Sequence, residues 1–216
     1  ILFYRPTTIP TTYKALLTNA DSVTADSDFD LAIGNVTTGR LDCYRNSQSI
    51  QGGHGNTTLV TLTPYIVGCV ITGSSLNWTH TVYLNGTNDG SGTSSIDPTV
   101  LADPTAVGAV GAYAQSSYRS DGTFAAARVY TRALSAAAME AIGKGRMYYD
   151  SFHTPTNGLL ASLWMNDCAD NANGDGVTFV NRSGNGNPIV GDNGANNTGM
   201  TCKGSNYLQY PIGAGW

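Results

Sequence analysis

Carboxylates, imidazoles, thiols and indoles are the groups through which this chain would do chemistry, and most are scarce or scattered. Glu140 is the single glutamate among 15 acidic residues in a chain of 216. Glycoside hydrolysis uses two carboxyl groups, one protonated and one ionised, at a set separation. A paired-glutamate mechanism is therefore excluded. An aspartate pair would have to come from residues such as Asp28, Asp30 and Asp42, but the aspartates read as lying in Gly- and Asn-rich loops open to water, where they stay ionised. His54, His80 and His153 lie far apart and show no metal-ligand spacing. No Gly-x-Ser-x-Gly elbow accompanies them, so Ser/His/Asp catalysis is not expected. Gly52, Gly53 and Gly55 lack the Lys-Ser/Thr and the helix that a phosphate loop requires. The chain reads as a non-enzyme.

Two kinds of binding chemistry remain. Asp167, Asp170, Asn171, Asn173 and Asp175 alternate oxygen ligands around Gly174, a spacing that suits calcium, the only cofactor the sequence points to. Arg182 stands where an EF-hand loop needs its bidentate Glu, so an EF-hand proper is excluded, and an Asx-rich turn accounts for the same residues. Of the aromatics able to stack on sugar rings, Trp78 stands out, because it lies in the turn Asn77-Trp78-Thr79 ahead of a strand. There it is either a glycan-binding handle or a packing residue. Trp164, Trp216, Tyr113, Tyr118, Tyr148 and Tyr149 complete that list.

Cys43, Cys69, Cys168 and Cys202 form an even set without CxxC spacing. The pairs close in sequence, Cys43 with Cys69 and Cys168 with Cys202, each tie neighbouring strand-like segments and are the expected disulfides, with four reduced thiols as the alternative. Asn35, Asn56, Asn77, Asn85, Asn181 and Asn196 each open an Asn-x-Ser/Thr sequon. The chain begins at Ile1 without a charged leader, so a removed leader or a start within a longer protein is expected. These features point to an extracellular, cell-surface or virion-surface setting.

The formal charge is -4, and the few Lys and Arg form no basic stripe, which argues against nucleic acid as a partner. The longest apolar run, Tyr65 to Ile71, is far short of the ~20 residues that span a bilayer. Charged residues make up 12% of the chain and Gly contributes 26 positions, a balance unlike that of long solvated helices.

Short apolar segments separated by Gly, Asn, Asp, Ser and Thr predict the elements that must carry these groups. Strands are expected at Tyr13 to Leu17, Phe29 to Asn35, Arg40 to Arg45, Tyr65 to Ile71, Thr79 to Leu84, Ala106 to Tyr113 and Thr123 to Tyr130. A second group follows at Leu159 to Asn166, Val177 to Val180 and Tyr207 to Tyr210, with Asn181 to Asn197 read as loop. In Tyr65 to Ile71 both alternating faces are apolar, which places that strand mid-sheet, covered on both sides. One short helix is predicted after the Ser135 cap, with Leu134 and Met139 as a hydrophobic staple and Gly143 as the stop.

The run Gly122-Thr-Phe-Ala-Ala-Ala-Arg-Val-Tyr-Thr-Arg-Ala-Leu-Ser-Ala-Ala-Ala-Met-Glu-Ala-Ile142 resembles the closing strand and corner helix of laminin-G-like, concanavalin A-like jelly-roll domains. Thr81-Val-Tyr-Leu-Asn-Gly86 is similar to that family's strand ending in a Tyr-x-Asn-Gly turn. Gly158-Leu-Leu-Ala-Ser-Leu-Trp-Met-Asn-Asp167, Asn181-Arg-Ser-Gly-Asn-Gly-Asn187 and Gly204-Ser-Asn-Tyr-Leu-Gln209 resemble its opening strands, which here come last.

The resemblance implies an all-β antiparallel jelly-roll β-sandwich with one short helix, a single circularly permuted domain over 1–216. Residues 1–150 would hold the later strands and 157–211 the opening ones, with Thr123 to Tyr130 paired to Leu159 to Met165. It further implies a non-catalytic module, a structural, decoration or adhesion subunit, that binds glycan or a surface protein. The alternative is a fibre or coat subunit completed by strand exchange between identical chains, and a hydrolase is a third reading.

Overall fold

The structure is a computed structural model that describes residues 1–18, 29–44, 52–74, 76–95, 109–110, 120–146, 158–164, 178–179 and 189–190. Its strands are β1 (Leu2–Pro6), β2 (Lys14–Thr18), β3 (Asp30–Ile33), β4 (Leu41–Tyr44), β5 (Gly53–His54), β6 (Tyr65–Ser74), β7 (Asn77–Leu84), β8 (Thr87–Ser94), β9 (Ala109–Val110), β10 (Gly122–Tyr130), β11 (Leu159–Trp164), β12 (Thr178–Phe179) and β13 (Ile189–Val190). One helix, α1 (Ala136–Ala141), runs into a π-helical turn, Ile142–Arg146. The strands form a six-stranded sheet in the order β11-β10-β1-β6-β7-β8, a five-stranded sheet in the order β5-β4-β3-β2-β9, and a separate β12-β13 ladder. Every pairing is antiparallel. This is the expected β-sandwich.

Strand periodicity decides what lies between the sheets. Leu31, Ile33, Leu41 and Cys43 from the five-stranded sheet meet Leu2, Tyr4, Tyr65, Val67 and Val82 from the six-stranded one in a single buried cluster. Cys43 and Cys69 form the expected disulfide, which joins β4 to β6 across that core. Cys168–Cys202 lies outside the described residues. In β10 the register slips, pairing Leu2 with Ala127 but Tyr4 with Phe124. The extra residue of this bulge lets Phe124 and Ala127 face the same core, and the Phe124 ring stacks on Tyr4 at 5.2 Å.

As predicted, β6 lies between β1 and β7 and is covered on both faces. Ile66 and Val70 point away from the sandwich core and pack with Ile1, Tyr83 and Ala126 under Leu134, Met139 and Ile142. The Ser135 hydroxyl accepts the Ala138 N–H at 3.2 Å, and both staple residues are buried. The helix does not stop at Gly143, because the chain continues through the π-helical turn. Gly143 instead allows close approach, since a Cβ there would sit 2.3 Å from the Asn85 carbonyl. Asn85 and Gly86 both take positive φ, as the two-residue β7–β8 hairpin turn requires.

The pairing expected between Thr123 to Tyr130 and Leu159 to Met165 is present, with Ala127 opposite Leu163 and Arg128 opposite Ser162. The reading of Asn181 to Asn197 as loop fails at Ile189–Val190, which pairs with Thr178–Phe179. Two apolar β-branched residues within a Gly- and Asn-rich stretch suffice for that short ladder. Of the strand expected at Ala106 to Tyr113, only Ala109–Val110 is described, and Tyr207 to Tyr210 lies outside the described residues. No described helix is long and apolar enough to cross a membrane.

Candidate functional site

Every residue of β3 and β4 is buried, so the face turned away from the core is covered as well, and that face carries the chemistry. Asp30 is opposite Tyr44 and Ala32 opposite Asp42, so these four share the face turned away from Leu31, Ile33, Leu41 and Cys43. Asp30 and Asp42 are each 1% exposed. The expectation that the aspartates lie in loops open to water therefore fails for both. Each stands at a strand position whose neighbours pull the backbone into the sheet, and strand position outweighs the polarity of the side chain. Asp28 lies outside the described residues.

Asp42 is held from three sides. His54, its cross-strand partner on β5, places Nδ1 2.8 Å from Oδ1. The Asn35 N–H donates to Oδ2 at 3.1 Å, and the Val36 N–H also donates to the carboxylate. Burial pushes Asp42 above the ordinary carboxylate range, and these hydrogen bonds pull against it without cancelling it. Tyr44 packs beside it in tilted contact with Tyr13, ring centroids 6.3 Å apart. Burial first, then Tyr13 and Asp30, raise the Tyr44 phenol far above its ordinary value, so it stays a neutral hydroxyl.

Glycines bring the second sheet to this edge. A Cβ on Gly90 would lie 2.0 Å from the His54 carbonyl oxygen, and one on Gly92 equally close to that of Gly52. Gly53 likewise faces the His80 carbonyl at 2.2 Å. Only bare backbone lets β5 lie on β7 and β8 this closely, well inside the usual ~10 Å between stacked sheets. The Gly52, Gly53 and Gly55 cluster thus serves packing. The following loop is pinned to β8, where Asp89 accepts from the Thr57 hydroxyl at 2.5 Å and its carbonyl accepts from the Asn56 side chain at 2.6 Å.

The turn at 34–39, the loop at 55–64 and the segment at 7–13 meet at this end of the sandwich. Leu59 N–H donates to the Gly39 carbonyl at 2.9 Å, and Gly39 lies against Ile9 and Thr58. Val36, Val60 and Leu62 are exposed along these loops. The site therefore combines a half-exposed imidazole, 31% accessible, with a buried carboxylate and loops of exposed hydroxyl, amide and apolar side chains. Such a set accepts and donates hydrogen bonds and offers small apolar contacts to a polar ligand.

The residues singled out from the sequence fall elsewhere or close by. Trp78 is 9% exposed, packed within β7, so its ring is not presented as a binding handle; it sits opposite Gly73 and Ser94 in mid-sheet. Asn35 and Asn56 lie beside the Asp42–His54 pair. Asn77 is exposed at the start of β7, and the Asn85 side chain accepts the Ile66 N–H at 2.9 Å. Asn181, Asn196 and the calcium candidates Asp167, Asp170, Asn171, Asn173 and Asp175 lie outside the described residues. Among the described residues no cluster of three or more His, Cys, Asp and Glu forms a metal site. The Asp42–His54 pair escaped the sequence reading, although Asp between Leu41 and Cys43 was a usable signal, since Asp is depleted in strands unless something holds it there.

No known protein family and no curated protein sequence matches the chain. Its fold is similar to the solved structure of a "putative carbohydrate binding protein" from Bacteroides ovatus, with a TM-score of 0.58, 13% identity, and coverage of 85% of this chain and 48% of that one. The chain thus spans about half the length of that protein, and at this identity what the two share is the β-sandwich fold.

Proposed function

We propose that the chain is a non-catalytic glycan-binding module displayed outside the cell or on a virion surface, as a structural, decoration or adhesion subunit. The observation that carries this reading is the half-exposed His54, braced by buried Asp42 at a loop-lined end of the sandwich. The fold similarity to the solved "putative carbohydrate binding protein" is in keeping with it. The Cys43–Cys69 disulfide fits an oxidising compartment, in keeping with the sequons at Asn35, Asn56, Asn77, Asn85, Asn181 and Asn196. The laminin-G-like, concanavalin A-like resemblance, with its permuted strand order, belongs to the same reading, and calcium at Asp167, Asp170, Asn171, Asn173 and Asp175 would be a loop ion within it.

The test is retention on immobilised β-glucan, galactan and sialylated glycan, with light scattering on the same sample. Retention of a monomer supports the reading. Concentration-dependent polymers without retention would replace it by the self-assembling subunit. The burial of Asp30 and Asp42 on one face beside His54 favours a second reading, a hydrolase, and reducing-end release from the same glycans separates the two. Release above a heat-killed control, lost in Asp42→Asn, would make the chain an enzyme.

A further inference from the structure

We propose that Asp42 holds His54 as the Nδ1–H tautomer, and that the other ring nitrogen, Nε2, accepts a hydrogen bond from a hydroxyl of a neutral sugar. The inference deepens the glycan-binding reading and rests on it. An ionised carboxylate only accepts, so the 2.8 Å contact between Nδ1 and Oδ1 places the proton on Nδ1. Asp42 cannot turn away to relieve this, because the Asn35 and Val36 N–H groups fix its carboxylate from the neighbouring turn. A neutral imidazole with its proton on Nδ1 presents Nε2 as an acceptor.

The surroundings narrow the ligand. Asp42 is the carboxylate in contact with the ring, while the Asp89 carboxylate beside Gly55 is occupied by the Thr57 N–H and hydroxyl. An accepting nitrogen pairs with an O–H donor. It finds no partner in the carboxylate of a sialylated sugar, which is itself an acceptor and carries like charge.

Long-range proton–nitrogen NMR on the labelled protein at about pH 8 reads the tautomer with no ligand and no variant. Titration with soluble β-glucan, galactan and a sialylated oligosaccharide then follows at about pH 8. The expected result is an Nδ1–H ring and tighter binding of a neutral glycan than of the sialylated one. Affinity should drop roughly five- to tenfold in His54→Phe, the size of one hydrogen bond, and be largely restored in His54→Gln, whose amide oxygen accepts. Thermal melts establish that both variants fold. An Nε2–H ring, unchanged affinity in His54→Phe, or preference for the sialylated glycan overturns the proposal. An Nδ1–H ring with none of the three glycans bound overturns the glycan reading itself, and with it the assigned ligand.

Discussion

Leu62 takes φ of 61°, a left-handed conformation that costs a β- or γ-branched residue about 1 kcal/mol or more. It persists because both its backbone groups are engaged: its N–H donates to the Pro6 carbonyl at 2.7 Å and its own carbonyl accepts from Arg5 Nε at 2.9 Å. The side chain is 59% exposed, so replacing it sacrifices little packing. Leu62→Asn should therefore raise stability by about 0.5–1 kcal/mol, as Asn tolerates this region. A loss of stability in chemical denaturation would show that the exposed leucine contributes contacts that outweigh the strain. Asp42 makes a prediction of opposite character. Its pKa is raised above 3.8 in the folded protein, so the folded state binds a proton more tightly than the unfolded chain. Its contribution to stability is then fully present below about 3.8 and is lost as pH rises through the raised value. Asp42→Asn cannot ionise, so the stability of the native protein relative to this variant should fall as pH climbs from that point. A difference that rises with pH would mean that the hydrogen bonds from His54, Asn35 and Val36 outweigh burial.

At the scale of elements, close approach of backbones decides more than side-chain packing. β8, Thr87–Ser94, contains no apolar residue; its ladder with β7 and the close approach of Gly90 and Gly92 to β5 hold it in place. Gly90→Ala should cost about 2–3 kcal/mol, at the upper end of overpacking, because the clashing atom is the His54 carbonyl oxygen, which cannot rotate away. An alanine tolerated there at under about 0.5 kcal/mol would show that β5 and β8 separate freely. The helix divides its stability between two terms of unequal size. Ser135→Ala removes a cap worth about 1 kcal/mol, whereas Met139→Ala empties a fully buried position beneath Gly68 and should cost about 2–4 kcal/mol. Equal losses in the two variants would mean that α1 is not anchored through its buried face.

For the whole molecule, the bond between Cys43 and Cys69 closes a separation of 26 residues and ties one sheet to the other. Loop closure of that length is worth about 3.5 kcal/mol, so a Cys43→Ala, Cys69→Ala variant should be less stable by that amount in chemical denaturation. Cys43 follows Asp42 and lies opposite Gly53, beside His54, but its side chain points into the core, away from the Asp42 face, so glycan retention should survive in the folded variant. Loss of retention with the fold intact would place the β4 end of the site under the control of this bond.

Where apolar periodicity was strong, the sequence was sufficient. The two-sided apolar pattern of Tyr65 to Ile71 determined a central strand, and the Ser135 cap and its staple determined α1. Each rests on local or nearest-neighbour chemistry, which one stretch of chain can express. β5 and β8 carried no such signal, since Gly, Asn, Ser and Thr fit loop and close-packed edge strand equally well. Burial of Asp30 and Asp42, and the meeting of Asp42 with a histidine 12 residues on, depend on the register of β3, β4 and β5. Trp78 shows the same limit, because its turn-like neighbours fit a handle or a packing residue, and its burial comes only once β6 and β8 flank it. Register and the approach of one sheet to another are long-range properties, set by what all the strands bury together. Only the tertiary structure decided them.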